Sequence, residues 1–315
     1  MIMSRRTAPL LLLLAALLGA SVLSGCATRD DDAPPEVGTG FPLEVTPPGG
    51  APLKFDREPQ RIVSLSPTAT ETLFAVGAGR QVVAVDSQSN FPEGAPHSRL
   101  SALTPDPAAI GGYAPDLVIV SADAGGKLTT ALDKLGAKTL VLSDAKTLDD
   151  AFAQFSLLGK VTGHPSEGED LAKRTRGDID KIVADTPKPA TPLTYYHELD
   201  QTFYSLTSAT FIGGVYSRFG LVNIADGGDP HAAGGYPQLS AERILKADPK
   251  LIFLSDTKCC GQNAQSVGAR PGWNTLSAVK SGTVVALDDD VASRWGPRIT
   301  DLVRAVAAAV TKAGK

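Results

Sequence analysis

Short aliphatic runs recur along the chain, each bounded by Gly, Pro, Asp or Ser: Arg61-Ile62-Val63-Ser64-Leu65, Val82-Val83-Ala84-Val85, Leu117-Val118-Ile119-Val120 and Leu251-Ile252-Phe253-Leu254. Their apolar positions are consecutive rather than alternating, which is the pattern of strands covered on both faces. Helical segments separate them, so the pattern predicts an α/β protein with mainly parallel sheets sandwiched between helices. The segment from Ala109 to Val120 also parallels that from Arg243 to Leu254 at a constant offset of 134 residues, each reading as a short helix, a proline stop and a buried strand. A second echo pairs Lys138–Leu142 with Gly282–Leu287, each followed by an acidic turn. A repeat unit longer than 100 residues signals two duplicated Rossmann-like lobes and excludes a solenoid.

One helical pattern stands between the two halves. Gly163 is placed to end the preceding helix, and Ser166-Glu167-Gly168-Glu169 reads as a capping box. Leu171, Ile179, Ile182 and Val183 then keep helical spacing up to Pro187. A helix over 165–186 would reach roughly 28 Å, long enough to join one lobe to the other. The expected organisation is therefore an N-terminal lobe over 55–164, this linking helix, and a C-terminal lobe over 187–315, with a ligand cleft between the lobes.

The first residues change the picture from a free globule to a tethered one. Arg5 and Arg6, the apolar run Leu10–Leu18 and the small-residue site Leu23-Ser24-Gly25-Cys26 follow the order of a secretory signal. The run is shorter than the roughly 20 residues of a membrane span. Leu23-Ser24-Gly25-Cys26 also resembles the lipobox of bacterial lipoproteins, which implies removal of 1–25 and a lipid on Cys26. Residues 26–54, rich in Asp and Pro, read as a tether, within which Phe41–Val45 is expected to pair as an edge strand. Removing 1–25 leaves 28 cationic residues against 34 acidic ones, a net charge of −6. That balance argues against nucleic-acid binding.

Several blocks carry a family resemblance. Arg61-Ile62-Val63-Ser64-Leu65-Ser66-Pro67-Thr68-Ala69-Thr70-Glu71-Thr72-Leu73-Phe74-Ala75-Val76-Gly77-Ala78-Gly79 closely resembles the first lobe of helical-backbone (class III) solute-binding proteins of ABC importers, those for vitamin B12, ferric siderophores and haem. Ala114–Ile119, Tyr236–Glu242 and Arg294–Ile299 match that family's later blocks, so the resemblance runs from about Phe55 onward. It implies a non-enzymatic monomer on the outer face of the membrane, with no resident cofactor, that captures a small molecule and docks on a permease dimer bearing ATPase subunits. It also implies docking carboxylates, at Glu71 and Glu242, that meet arginine pockets on the permease.

By motif position the first lobe's wall of the cleft is expected at Asp86–Phe91 and Ser121–Gly126. The second lobe's wall is expected at Tyr204, Tyr236, Lys258–Gln262 and Ser293–Trp295. Phe91, Tyr204, Tyr236 and Trp295 offer apolar faces and Arg294 a cation for ligand oxygens. Tyr236 stands where a cobalamin binder of this family carries an aromatic against the corrin, which together with Ser293-Arg294-Trp295 suits a flat ring with polar edges. Ala102 and Ser121 depart from the B12-binding pattern, which carries aromatics there. A cobalamin-like corrinoid is the expected cargo, with a ferric siderophore or haem as the alternative.

Cys259 and Cys260 sit after a predicted strand that aims them at the cleft. In an oxidising compartment each has only the other to pair with, which leaves a vicinal disulfide, inert thiols or metal ligation open. His97, His164, His197 and His231 are scattered singly, so no metal site is predicted, although His231 with Tyr236 would suit haem. Ser64 and Ser66 lack the glycines of a nucleophile elbow, which argues against the remote alternative, an extracytoplasmic hydrolase.

Overall fold

The computed structural model describes residues 40–227 and 229–314, so the signal segment and Cys26 lie outside the described residues. The chain enters through β1 (Leu43–Val45), which pairs antiparallel with β2 (Leu53–Phe55) in a sheet of their own. The first half then runs through β3 (Ile62–Leu65), α1 (Pro67–Ala75), β4 (Val82–Val85) and α2 (Pro107–Gly111). It continues through β5 (Leu117–Val120), α3 (Lys127–Asp133), β6 (Lys138–Val141) and α4 (Leu148–Val161). Helix α5 (Pro165–Asp185) leads into the second half, which opens with β7 (Thr194–Glu198), α6 (Phe211–Ser217), β8 (Val222–Asn223) and α7 (Ala241–Ala247). There follow β9 (Leu251–Leu254), α8 (Thr257–Cys260), α9 (Ala264–Gly268) and α10 (Ser277–Lys280). Strand β10 (Val284–Ala286), α11 (Asp289–Ala292) and α12 (Ile299–Ala313) complete the fold.

The two large sheets have the same topology, which is the structural form of the sequence repeat. Each has four parallel strands, ordered β4-β3-β5-β6 and β10-β9-β7-β8. In both, the first strand in chain order is flanked by the second and third, so the order reverses there and a crevice opens at the strands' C-terminal ends. Strands β3, β5 and β9 are buried at every position, as their unbroken apolar runs require.

The halves are joined by more than one helix. A single hydrophobic cluster takes Ile62 and Leu117 from the first sheet and Tyr195 and Phe253 from the second, bridged by Phe155 of α4, Ile179 of α5 and Val306 of α12. Separate clusters fill the outer face of each sheet. Each such buried side chain contributes roughly 1.5–3 kcal/mol of transfer free energy. The shared core accounts for Gly38–Lys315 forming one compact unit.

The entry to α5 differs from the capping box expected at Ser166. The cap lies two residues earlier, at His164, which makes no side-chain capping hydrogen bond, and the helix begins at Pro165. Proline is favoured there because its missing N–H would be unpaired in any case. Gly168, expected in the cap, is instead buried where α4 and α5 touch. A Cβ on Gly168 would lie 2.8 Å from the Phe155 carbonyl, and one on Gly159 would lie 2.8 Å from the Gly168 Cα. The two glycines let the helix backbones meet.

The cleft between the two sheets

A cavity of about 560 Å³ opens between the halves, at the C-terminal ends of the strands. Asp144, Ala145 and Lys146 come from the loop after β6, while Leu199 and Ser255 are the residues immediately after β7 and β9. Phe211 and Ile212, in the first turn of α6, supply an apolar wall, and Trp295, packed edge-on against Phe211, adds to it. Thr210 caps α6 by accepting the Gly213 N–H, which fixes the entry of that wall.

Tyr236 reaches the cavity from a loop whose backbone turns left-handed at Ala233, Gly234 and Gly235. At Gly235 (φ 90°) a Cβ would meet the Thr210 methyl at 2.8 Å, so glycine is needed both for the turn and for the close approach. The Tyr236 side chain is half exposed. Its phenol is pushed above the usual range by burial and by the Asp144 carboxylate on the opposite wall. His231 lines the same cavity. The charged side chains of the lining are Asp144 and Lys146, one of each sign.

Of the wall residues expected from sequence, Tyr236, Ser293 and Trp295 line the cavity, as does His231, while Phe91, Tyr204, Cys259, Cys260 and Arg294 do not. Tyr204 is exposed outside it, in a bridge with Gln238. Phe91 lies at the junction of the halves, where its ring packs on the Arg298 guanidinium at 4.2 Å. Neither Asp86–Phe91 nor Ser121–Gly126 forms the first wall; the loop after β6 does. Cys259 and Cys260 are bonded to each other on α8, exposed and away from the cavity. Asp289 holds α8 in place, its carboxylate accepting the N–H groups of Thr257, Lys258 and Cys259 at 2.8–3.1 Å.

Arg294 is not available to a ligand either. Its guanidinium donates to Glu71 Oε1 at 2.9 Å, Asn90 Oδ1 and the Gln88 carbonyl at 3.0 Å, and Asp290 Oδ1 at 2.8 Å. Arg298 adds a bidentate pair to Glu71, at 3.0 and 2.5 Å. Glu71 is 3% exposed, and Gly296 makes room for it, since a Cβ there would stand 3.1 Å from Oε2. Glu71 therefore cannot present a free carboxylate to a permease in this conformation; it binds the first half to the second. Glu242, by contrast, is exposed in the first turn of α7.

Sequence reasoning missed Phe211, Ile212, Ser255 and Asp144–Lys146. Their common signal is position directly after a strand or at a helix start, at the crevice end of a parallel sheet.

Residues 62–291, from β3 to α11, match the pattern of the periplasmic binding protein family. The chain belongs to that family. An uncharacterized ABC transporter substrate-binding lipoprotein of Bacillus subtilis is 26% identical over 307 residues, covering 94% of this chain and 95% of that one. The vitamin B12-binding protein of Vibrio cholerae is 30% identical over 253 residues, covering 78% of this chain and 87% of its own. The crystal structure of the periplasmic vitamin B12 binding protein of the same organism superposes with a TM-score of 0.64 at 29% identity, over 82% of this chain and 98% of that one. A periplasmic haem-binding protein from Roseiflexus superposes with a TM-score of 0.69 at 23% identity, over 81% and 99%. This periplasmic binding protein is thus the substrate-binding component of an ABC importer, with a permease and ATPase as partners and a small molecule as ligand. Its relatives are solute-binding proteins and not enzymes. Among the described residues no helix is long and apolar enough to cross a membrane.

Proposed function

We propose that this chain is anchored to the outer face of the membrane through a lipid on Cys26, captures a cobalamin-like corrinoid in the cleft and hands it to the permease. One observation supports the cargo most directly. The cavity pairs a broad aromatic and aliphatic lining, from Tyr236, Trp295, Phe211 and Ile212, with a charge balance of zero between Asp144 and Lys146. The arginine nearest in sequence, Arg294, is committed to Glu71 and Asp290. A multiply anionic ligand in such a site lacks the cations that would offset its desolvation, whereas a ring edged with neutral amides does not need them. The vitamin B12-binding relatives support the same reading.

A second reading, a haem or ferric-siderophore carrier, has one observation in its favour. His231 and Tyr236 line the same cavity, an imidazole and a phenol of the kinds that bind iron. Titration calorimetry of the mature protein separates the two. Cyanocobalamin is expected to give saturable heat at one ligand per chain; silence with cyanocobalamin alongside clear binding of haemin or a ferric siderophore reverses the assignment.

A further inference from the structure

Beneath the cleft floor a chain of hydrogen bonds runs from the buried core to one lining hydroxyl. Tyr216 Oη lies 2.8 Å from His197 Nδ1, His197 Nε2 lies 3.1 Å from Ser255 Oγ, and Ser255 Oγ lies 2.9 Å from the Glu198 carbonyl oxygen. Tyr216 and His197 are fully buried, and Ser255 is the member that reaches the cavity.

Only one arrangement of hydrogens makes all three of these bonds and leaves no buried donor unpaired. Among the described residues the Tyr216 phenol has no hydrogen-bond partner except His197 Nδ1. A proton on Nδ1 would therefore leave the phenol hydrogen buried and unpaired, a penalty of about 1–3 kcal/mol. With the phenol as donor, Nδ1 accepts, Nε2–H donates to Ser255 Oγ, and Ser255 in turn donates to the Glu198 carbonyl. Burial holds the imidazole neutral, its pKa pushed down to about 3, so the doubly protonated form does not intervene.

We infer that Ser255 is a specificity-determining residue whose oxygen faces the cleft as an acceptor only, and that it selects ligands presenting an N–H or O–H group there over ligands presenting a carboxylate. Its one hydrogen is spent on Glu198 and one lone pair on His197, which leaves a single lone pair for the ligand. A primary amide or hydroxyl completes that bond. A carboxylate places lone pair against lone pair and leaves both groups desolvated. The inference rests on the reading of this cavity as the ligand site, and it narrows the ligand to rings whose edge carries neutral donors.

Two measurements test it. In ligand-free protein labelled with ¹⁵N at histidine, the His197 resonances, assigned by their loss in His197→Gln, are expected to show the Nε2–H tautomer unchanged from pH 5 to 8. An Nδ1–H tautomer or a titrating ring overturns the relay whatever the ligand. In the second, cyanocobalamin is compared with its peripheral monocarboxylic acids, in which one amide is hydrolysed. Wild-type protein is expected to bind at least one acid about tenfold or more weakly than the amide. Ser255→Ala is expected to weaken the amide about three- to tenfold, the size of one hydrogen bond, and to narrow that ratio, while Ser255→Thr restores both. A folded Ser255→Ala protein with unchanged ratio overturns the inference. Failure of every corrinoid to bind instead removes the corrinoid reading, and the tautomer measurement then decides the relay by itself.

Discussion

At the scale of single residues the structure sorts carboxylates by what surrounds them. Glu71 is buried against Arg294 and the partly exposed Arg298, so removing it leaves Arg298 without its carboxylate partner and Arg294, itself buried, with Asp290 as its one remaining carboxylate. Glu71→Ala is accordingly expected to lower stability by about 3–5 kcal/mol in urea denaturation. A change within about 0.5 kcal/mol would show that the arginines relax elsewhere. Asp256 poses the opposite case: it is fully buried, neither of its oxygens has a partner among the described hydrogen bonds, and Glu198, itself paired with Arg270, stands beside it. Burial, followed by the Glu198 charge, pushes its pKa up to about 7, with Arg270 opposing. The folded state then holds a proton that the unfolded chain, with an aspartate pKa near ~3.9, has already lost. Stability from this group is fully present below about pH 4 and declines as pH rises toward about 7. The denaturation midpoint is expected to fall across that window in wild type and to lose this slope in Asp256→Asn. An identical slope in both proteins would place its origin in another group.

At the scale of elements, α4 and α5 meet through Gly159 and Gly168 rather than through interlocking side chains. Gly168→Ala forces its methyl against the Phe155 carbonyl, and about 1–3 kcal/mol of destabilisation is expected from such overpacking. A neutral or stabilised variant would mean that the helices separate without cost, as helix propensity alone predicts. Helix α8 is an element of a different kind, one turn carrying the Cys259–Cys260 bond and held by the Asp289 carboxylate. Because it stands outside the cavity lining, reducing that bond is expected to leave cyanocobalamin affinity within about twofold. A tenfold change on reduction would show that α8 reaches the ligand.

At the scale of the whole molecule, the shared core and the Glu71 cluster tie the two sheets together, so the cleft walls are held by packing on both sides. Glu242 is exposed at the start of α7, and charge-assisted contacts between it and permease arginines, as the family resemblance implies, would set orientation. Glu242→Ala is expected to reduce ligand uptake several-fold in cells while ligand affinity in vitro stays at the wild-type level. Full uptake at normal expression would move docking to other residues.

The sequence by itself determined the layer architecture, because strands buried on both faces must be written as unbroken apolar runs, and β5 and β9 are such runs at an offset of 134 residues. It also placed Tyr236 and Trp295 in the wall of the cleft, by motif position, and both line the cavity. Only the tertiary structure decided which charges are free. Glu71 and Glu242 each follow a serine cap, Glu71 in the second turn of its helix and Glu242 in the first, and that local pattern does not tell which of them is buried. Glu71 meets its partners more than 220 positions away, and Arg294 likewise reaches back to Gln88 and Asn90, so their burial is a property of how the halves close. The same holds for Ser255, whose hydroxyl acquires a direction only when β7 and β9 lie side by side and set His197 and Glu198 next to it. Side-chain periodicity reports which face of an element is covered; the partner that covers it is chosen by contacts between distant segments, and local sequence does not encode those.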